Sequence, residues 1–271
     1  MYKATGKTVE KAIIILAFCF TCSSAFGYAL FSTPTAWAPG ENTINSAKQP
    51  TPGGATFSIA PENLVYENSL RTEHGTNKTQ NITALGIAGF EFDDYVTMVD
   101  DALDIWASVS GFENLGNVTD SGNNIGTYGE HTADIRIAAW ELTKPSALAQ
   151  AWQPSTQDFF ADGALGGDMH IDVGRTWIDD AADSAGNGKF DLFSVILHEL
   201  GHSIGLAHST VAGSVMAPNY IGANRNLHID DIAGAQALYG NTYNTAYVAV
   251  PEPTTIALLG LGALLIKKRK K

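Results

Sequence analysis

His198-Glu199-Leu200-Gly201-His202-Ser203-Ile204-Gly205-Leu206-Ala207-His208 is the stretch whose reading decides the fold. It closes an apolar run that reads as a helix from about Leu192 to Ala207. On a helix, residues four apart project from one face, so His198 and His202 can reach the same ion. Imidazole nitrogens bind zinc at roughly 2.0–2.1 Å. Gly205 permits a sharp turn that a residue with a side chain would resist. That turn brings His208 back as a third ligand. Three protein ligands leave a fourth position for water, which distinguishes a catalytic zinc from a closed structural one. Glu199 lies beside the ligands, where a carboxylate can act as general base on a water acidified by the metal. Three of the seven histidines of the chain fall in these eleven residues, which weighs against a buried helix with incidental histidines.

Outward from this stretch the pattern is of one α+β domain. Residues 32–54 are rich in Pro, Gly, Ser, Thr and Asn and read as an extended lead-in. Ala55 to Ile59 alternates as a strand does, and residues 66–84 hold no clear period and read as a loop. The apolar positions from Tyr95 to Val109 form a helical stripe, with Asp93 and Asp94 suited to its N-terminus. Short strands are expected at Ala133–Ala138 and Met169–Val173. A last helix is expected over about Ile229–Tyr239, with Asp230 and Asp231 in its first turn. The loop holding Asp183, Asn187 and Asp191 lacks EF-hand spacing and reads as a turn.

The two ends differ from this body. Residues 1–27 carry Lys3, Lys7 and Lys11, an apolar run from Ala12 to Phe20, then small residues near Ala25 and Gly27. This is the pattern of a secretory signal peptide, with cleavage expected near Ala25 or Gly27. Its apolar run is short for a membrane span. Residues 250–271 read Val-Pro-Glu-Pro, an apolar stretch to Ile266, then Lys267-Lys268-Arg269-Lys270-Lys271. A hydrophobic stretch closed by basic residues is a membrane-stop pattern. Between the ends, residues 28–249 hold 8 basic and 26 acidic residues, a net charge near −18. Such a body argues against nucleic acid as a partner and suits an extracellular protein that binds calcium through carboxylates. Both cysteines, Cys19 and Cys22, lie within the expected signal peptide, so the exported protein would have no disulfide.

The C-terminal segment resembles the PEP-CTERM sorting signal, through its Pro-Glu-Pro triplet, apolar helix and basic tail. The resemblance implies processing by an exosortase-type enzyme and delivery to the surface or extracellular matrix of a bacterium. The histidine stretch, followed by Ser214-Val215-Met216, carries the extended motif and Met-turn of metzincins. Ser209 directly after His208, Met216-Ala217-Pro218-Asn219-Tyr220, and Asp230 through Gly240 make the chain resemble the matrixin branch. The likeness is close over residues 130–240 and loose over 28–129.

This resemblance implies a metzincin-type single catalytic domain. Its expected form is a twisted, mostly parallel sheet with an active-site helix and a C-terminal helix. Met216 would form an apolar floor beneath the ligands, and Pro218 and Tyr220 a wall of the substrate pocket. Asp134 and Asp168 match calcium positions. Two family features are not expected. A cysteine switch has no mature cysteine to use. A structural zinc would find only His170, because Gln150 stands where another histidine is usual.

The resulting layout is a signal peptide at 1–27, lead-in and first strand at 28–60, a catalytic domain at 61–243 and a sorting segment at 250–271. The expected protein is a monomeric, secreted or surface-attached zinc endopeptidase. It would carry one catalytic Zn²⁺, with Asp134 and Asp168 read either as calcium ligands or as part of a solvated acidic loop, act on protein or peptide substrates, and meet the membrane only through its terminal segments. The alternative is a surface or matrix adhesion module that retains the fold with little proteolysis. The intact Glu199 argues against it.

Overall fold

The computed structural model describes residues 28–31, 35–38, 44–45, 52–65, 78–125, 133–154, 165–183 and 185–241. The expected signal peptide and sorting segment lie outside them. No helix among the described residues is long and apolar enough to cross a membrane. Three short strands come first, β1 (Ala29–Leu30), β2 (Ala36–Trp37) and β3 (Ile44–Asn45), then the longer β4 (Gly53–Ile59). A 3-10 turn at Ile82–Leu85 leads into α1 (Phe92–Val109). Next come β5 (Phe112–Asn117), β6 (Ile135–Trp140), β7 (Ala149–Ala151) and β8 (Met169–Asp172). The short β9 (Trp177–Ile178) and β10 (Phe190–Asp191) precede α2 (Leu192–Ser203), β11 (Leu206–Ala207) and α3 (Ile229–Tyr239).

The main sheet has five strands in the order β5-β4-β6-β8-β7. β5, β4, β6 and β8 run parallel, and β7 closes one edge antiparallel to β8. Parallel neighbours need a long crossover, and α1 supplies the one between β4 and β5. The helix forms where its stripe and cap agree. Tyr95, Met98, Val99, Ala102, Leu103 and Trp106 are buried along one face, and the Glu91 backbone N–H donates to the Asp94 carboxylate at 2.7 Å. The architecture is α+β, with a mostly parallel sheet, as the sequence implies.

Three elements depart from expectation. α2 ends at Ser203 rather than Ala207, because Gly205 adopts φ +110° and Leu206–Ala207 leave as β11 to pair antiparallel with β1. β5 and β7 are strands the sequence reading did not find. Both lie at sheet edges, where neither face must be apolar. β5 is Phe-Glu-Asn-Leu-Gly-Asn, poor in strand-forming residues and specified by its pairing with β4.

The sheet separates two cores. On one face Phe57, Ile135, Ile137, Met169 and Ile171 pack against Leu103 and Trp106 of α1, Leu197 and Leu200 of α2, and Leu238 of α3. On the other, Ala138 and Trp140 join Leu64, Ile125, Leu142 and Leu165 from the loops. This second face also buries charge. Arg136, 1% exposed, forks onto Asp120, with Nε 2.9 Å from Oδ2 and Nη2 2.7 Å from Oδ1. The Ser58 hydroxyl donates to Asp120 Oδ2 at 2.8 Å. Burial alone would raise the Asp120 carboxyl. The hydrogen bonds and charge of Arg136, with the Gly122 N–H and Ser58, outweigh it and hold the group below its ordinary value.

A lowered carboxyl stabilises the fold above its unfolded value, and that contribution is lost as pH falls through the folded value. Asp120→Asn leaves Arg136 buried without its counter-charge and is expected to cost about 3–5 kcal/mol at pH 7. Urea titrations should show the gap between wild type and variant narrowing below about pH 4. A gap that is constant from pH 7 to pH 3 contradicts the assignment.

Candidate metal centre

α2 carries the first two histidines because its start is fixed by charge and its end by glycine. Asp191, fully buried, accepts from the Ser194 N–H at 3.1 Å and from the Ser194 hydroxyl at 2.6 Å, capping the helix. Arg225 Nε donates to the same carboxylate at 2.9 Å, and Arg225 Nη2 reaches Asp179 at 2.6 Å. At the other end the Gly205 N–H donates to the His202 carbonyl at 2.9 Å. A Cβ at position 205 would lie 2.3 Å from the Thr35 carbonyl oxygen, so both conformation and space require glycine. β11 then returns the chain to His208.

The three imidazoles converge. Their ring centroids are 4.8 Å apart for His198 and His202, 5.3 Å for His198 and His208, and 4.7 Å for His202 and His208. One ligand atom from each lies within 4.8 Å of the others, the only such three-residue group among the described residues. His198 Nδ1 is 2.7 Å from the Val215 carbonyl and His202 Nδ1 is 2.7 Å from the Leu206 carbonyl. A carbonyl only accepts, so both Nδ1 atoms carry the proton and both Nε2 lone pairs are free for a metal. Burial pushes His198 down to about 4 and His202 down to about 3, and also lowers His208. At neutral pH all three are therefore in the uncharged form that binds metal. The donor set fits Zn²⁺.

Glu199 is buried beside the ligands on α2 and lines the same cleft. Burial pushes its carboxyl up to about 8. Beneath the ligands Met216, 2% exposed, packs against the helix. A Cβ on Gly201 would lie 2.2 Å from Met216 Sδ, so the glycine makes room for this floor. The Trp106 indole N–H donates to the Leu197 carbonyl at 3.0 Å, holding the peptide just before His198.

In the sequence Asp230 and Asp231 read as first-turn charges of α3 and as the start of the segment that resembles the matrixin closing helix. Each is 1% exposed and organises the centre. Asp231 accepts from the N–H of Val215 at 2.8 Å and of Met216 at 3.1 Å, and from the Ser214 hydroxyl. Asp230 accepts from the Ser209 hydroxyl at 2.6 Å and the Tyr28 backbone N–H at 2.8 Å. Neither the acidic pair at a helix start nor the resemblance of the segment says that the two carboxylates point inward.

The cleft, about 550 Å³, lies between α2 with segment 214–224 on one side and residues 144–149 on the other. Pro218 and Tyr220 both line it. The Tyr220 hydroxyl accepts from the Asp191 N–H at 2.8 Å and donates to Asp183 at 2.7 Å, so it is held as part of the wall. Asp134, Asp168 and His170 are not brought to this centre. They lie on the second face of the sheet. Asp134 Oδ2 accepts from the Thr56 N–H and hydroxyl, both at 2.8 Å. Asp168 is buried with Oδ2 lacking a hydrogen-bond partner, and burial pushes it up to about 7 against the opposing charge and N–H of Arg136. The His170 ring packs 5.2 Å from Trp140 and 4.8 Å from Trp152, with Gln150 opposite it on β7.

The family model described as Matrixin matches residues 87–240, and that of the PEP-CTERM protein-sorting motif matches residues 249–271. Interstitial collagenase of Sus scrofa is 30% identical over 227 residues, covering 79% of this chain and 42% of that protein. Neutrophil collagenase of Homo sapiens is 30% identical over 223 residues, 76% of this chain and 40% of that protein. Matrilysin of Rattus norvegicus is 51% identical over 85 residues, 30% of each chain. This chain thus spans less than half the length of the collagenases it matches.

Proposed function

This chain belongs to the matrixin family, and on that premise we propose that it is a zinc-dependent endopeptidase. The observation that carries the reading is the convergence of His198, His202 and His208, two of them oriented by Nδ1 bonds to carbonyls, with Glu199 beside them in an open cleft. These nitrogens would hold zinc, which would supply Lewis acidity toward a bound water and a peptide carbonyl. Glu199 takes the proton of the attacking water and delivers it to the leaving amine. The Glu199 carboxylate, raised by burial, would be held ionised by a divalent cation on the three histidines. Met216 and Trp106 fix the ligand helix from behind. Pro218 and Tyr220 form the wall that receives a substrate side chain. An adhesion module has no chemical need of a base placed in this way.

The sorting motif at 249–271 supports export to the surface or extracellular matrix of a bacterium and processing by an exosortase-type enzyme. Residues 1–27 serve as the signal peptide. A cut after Gly27 makes Tyr28 the first residue, and its nitrogen lies 2.8 Å from buried Asp230. An α-ammonium there forms a charge-assisted bond stronger than that of an amide. Calcium is proposed at Asp168, whose buried Oδ2 is a hard donor without a partner. The Asp134 carboxylate is engaged by Thr56, which makes it the weaker side-chain donor.

Purified mature protein is expected to hydrolyse a casein-type substrate and to lose that activity with a chelator. Glu199→Ala should keep its zinc but lose about 10²–10⁴-fold in turnover, and a fully active variant contradicts the mechanism. Intact mass of the exported protein should correspond to a chain starting at Tyr28; a start elsewhere removes the proposed ammonium. Calcium should raise the melting temperature of wild type but not of Asp168→Ala, and equal shifts in both would rule out that site.

A further inference from the structure

The wall of the cleft opposite α2 is the segment between β6 and β7, of which residues 144–149 line the cavity. Glu141, Thr143, Lys144, Pro145 and Ser146 are exposed, so this rim has little core of its own to hold it. β7, which it leads into, is the edge strand of the sheet, and its Ala149 lines the same cavity. An extended peptide in the cleft meets that edge, and the position of the rim sets whether it can pair there.

One pair of side chains ties the rim down. Asp172 Oδ1 accepts from the Leu142 N–H at 3.2 Å and the Gly174 N–H at 2.9 Å. Its Oδ2 is 2.7 Å from Arg175 Nε as an ion pair. Arg175 Nη2 donates to the Pro145 carbonyl at 2.8 Å and the Ala147 carbonyl at 2.7 Å. Two backbone carbonyls and a buried carboxylate thus gather around one positive charge. Oxygen donors of this kind suit a hard cation such as calcium. Here the charge belongs to the chain.

We propose that Arg175 is a positioning residue for substrate, a built-in cation in an oxygen-lined cage that holds rim 143–147 against β8. The proposal rests on the endopeptidase reading for its effect on substrate, but not for its effect on the rim. The planar guanidinium reaches two carbonyls at once, which Lys cannot do with the same geometry. Reversing the charge with Arg175→Glu turns the cage into a site for a real cation, with the introduced carboxylate, Asp172 and the two carbonyls as ligands.

The test compares wild type with Arg175→Gln, Arg175→Lys and Arg175→Glu, all zinc-loaded, by amide hydrogen exchange over residues 142–151 and by peptide hydrolysis. Arg175→Gln is expected to speed exchange in the rim about tenfold while α1 and α3 keep their protection. It should raise KM about fivefold with kcat nearly unchanged, because the rim binds substrate but touches no reacting atom. Arg175→Lys should recover part of both. Calcium chloride should restore slow exchange and low KM to Arg175→Glu beyond any effect on wild type, and magnesium should not, since it demands a tighter octahedral shell. Unchanged rim exchange in Arg175→Gln overturns the proposal, as does uniform loss of protection with kcat and KM changing together, or an Arg175→Glu variant indifferent to calcium. A wild type without chelator-sensitive hydrolysis would sink the endopeptidase reading, and rim exchange would still decide the role of Arg175.

Discussion

The hydrogen bond from His198 Nδ1 to the Val215 carbonyl, 2.7 Å long, joins the two halves of the metal centre. It fixes the tautomer and direction of the first ligand, and it couples α2 to the turn that ends in Met216. That turn is itself set by Asp231, whose carboxylate takes the N–H groups of Val215 and Met216. The arrangement runs from a helix-start carboxylate, through a turn, to a ligand imidazole. Each step satisfies a buried polar group that would otherwise cost about 1–3 kcal/mol. His202 repeats the design on a smaller scale, its Nδ1 held by Leu206 in the loop that delivers His208.

The protein uses polar groups elsewhere in the same manner. Asp191 caps α2 and receives Arg225, so the start of the ligand helix and the far end of the cleft wall share one carboxylate. Asp230 links Ser209, next to the third ligand, with Tyr28 just before β1. Gly201, Gly205 and Gly234 leave space for Met216, Thr35 and Tyr28 to approach closely. These contacts join residues far apart in sequence.

Much of this was legible in the chain. The 3.6-residue stripe from Tyr95 to Trp106 gave α1, and the spacing of His198, His202, Gly205 and His208 gave the centre with its turn. Strand β6 was visible because Ile135 and Ile137 alternate. Long-range pairing was not visible. β1 reads as lead-in and becomes a strand only by meeting β11, which also shortens α2. β5 carries Glu113, Asn114 and Asn117 and has no pattern of its own. Asp230 and Asp231 were seen as charges that suit a helix dipole, and burial gives them a larger role. Local periodicity carries no information about which partner a polar side chain will face.

The second face of the sheet has a polar organisation of its own. His170 is enclosed by Trp140 and Trp152, Arg136 is buried on Asp120, and Arg175 bonds the Ala147 carbonyl. The cleft face carries the ligand set and its supports. The central claim is therefore about the metal itself. X-ray absorption at the zinc edge of the metal-loaded mature protein tests it most directly. The account predicts one zinc per chain with three imidazole nitrogens and one oxygen at roughly 2.0–2.1 Å. A shell with fewer than three imidazoles, or one unaltered when His208 is replaced by Ala, would contradict it.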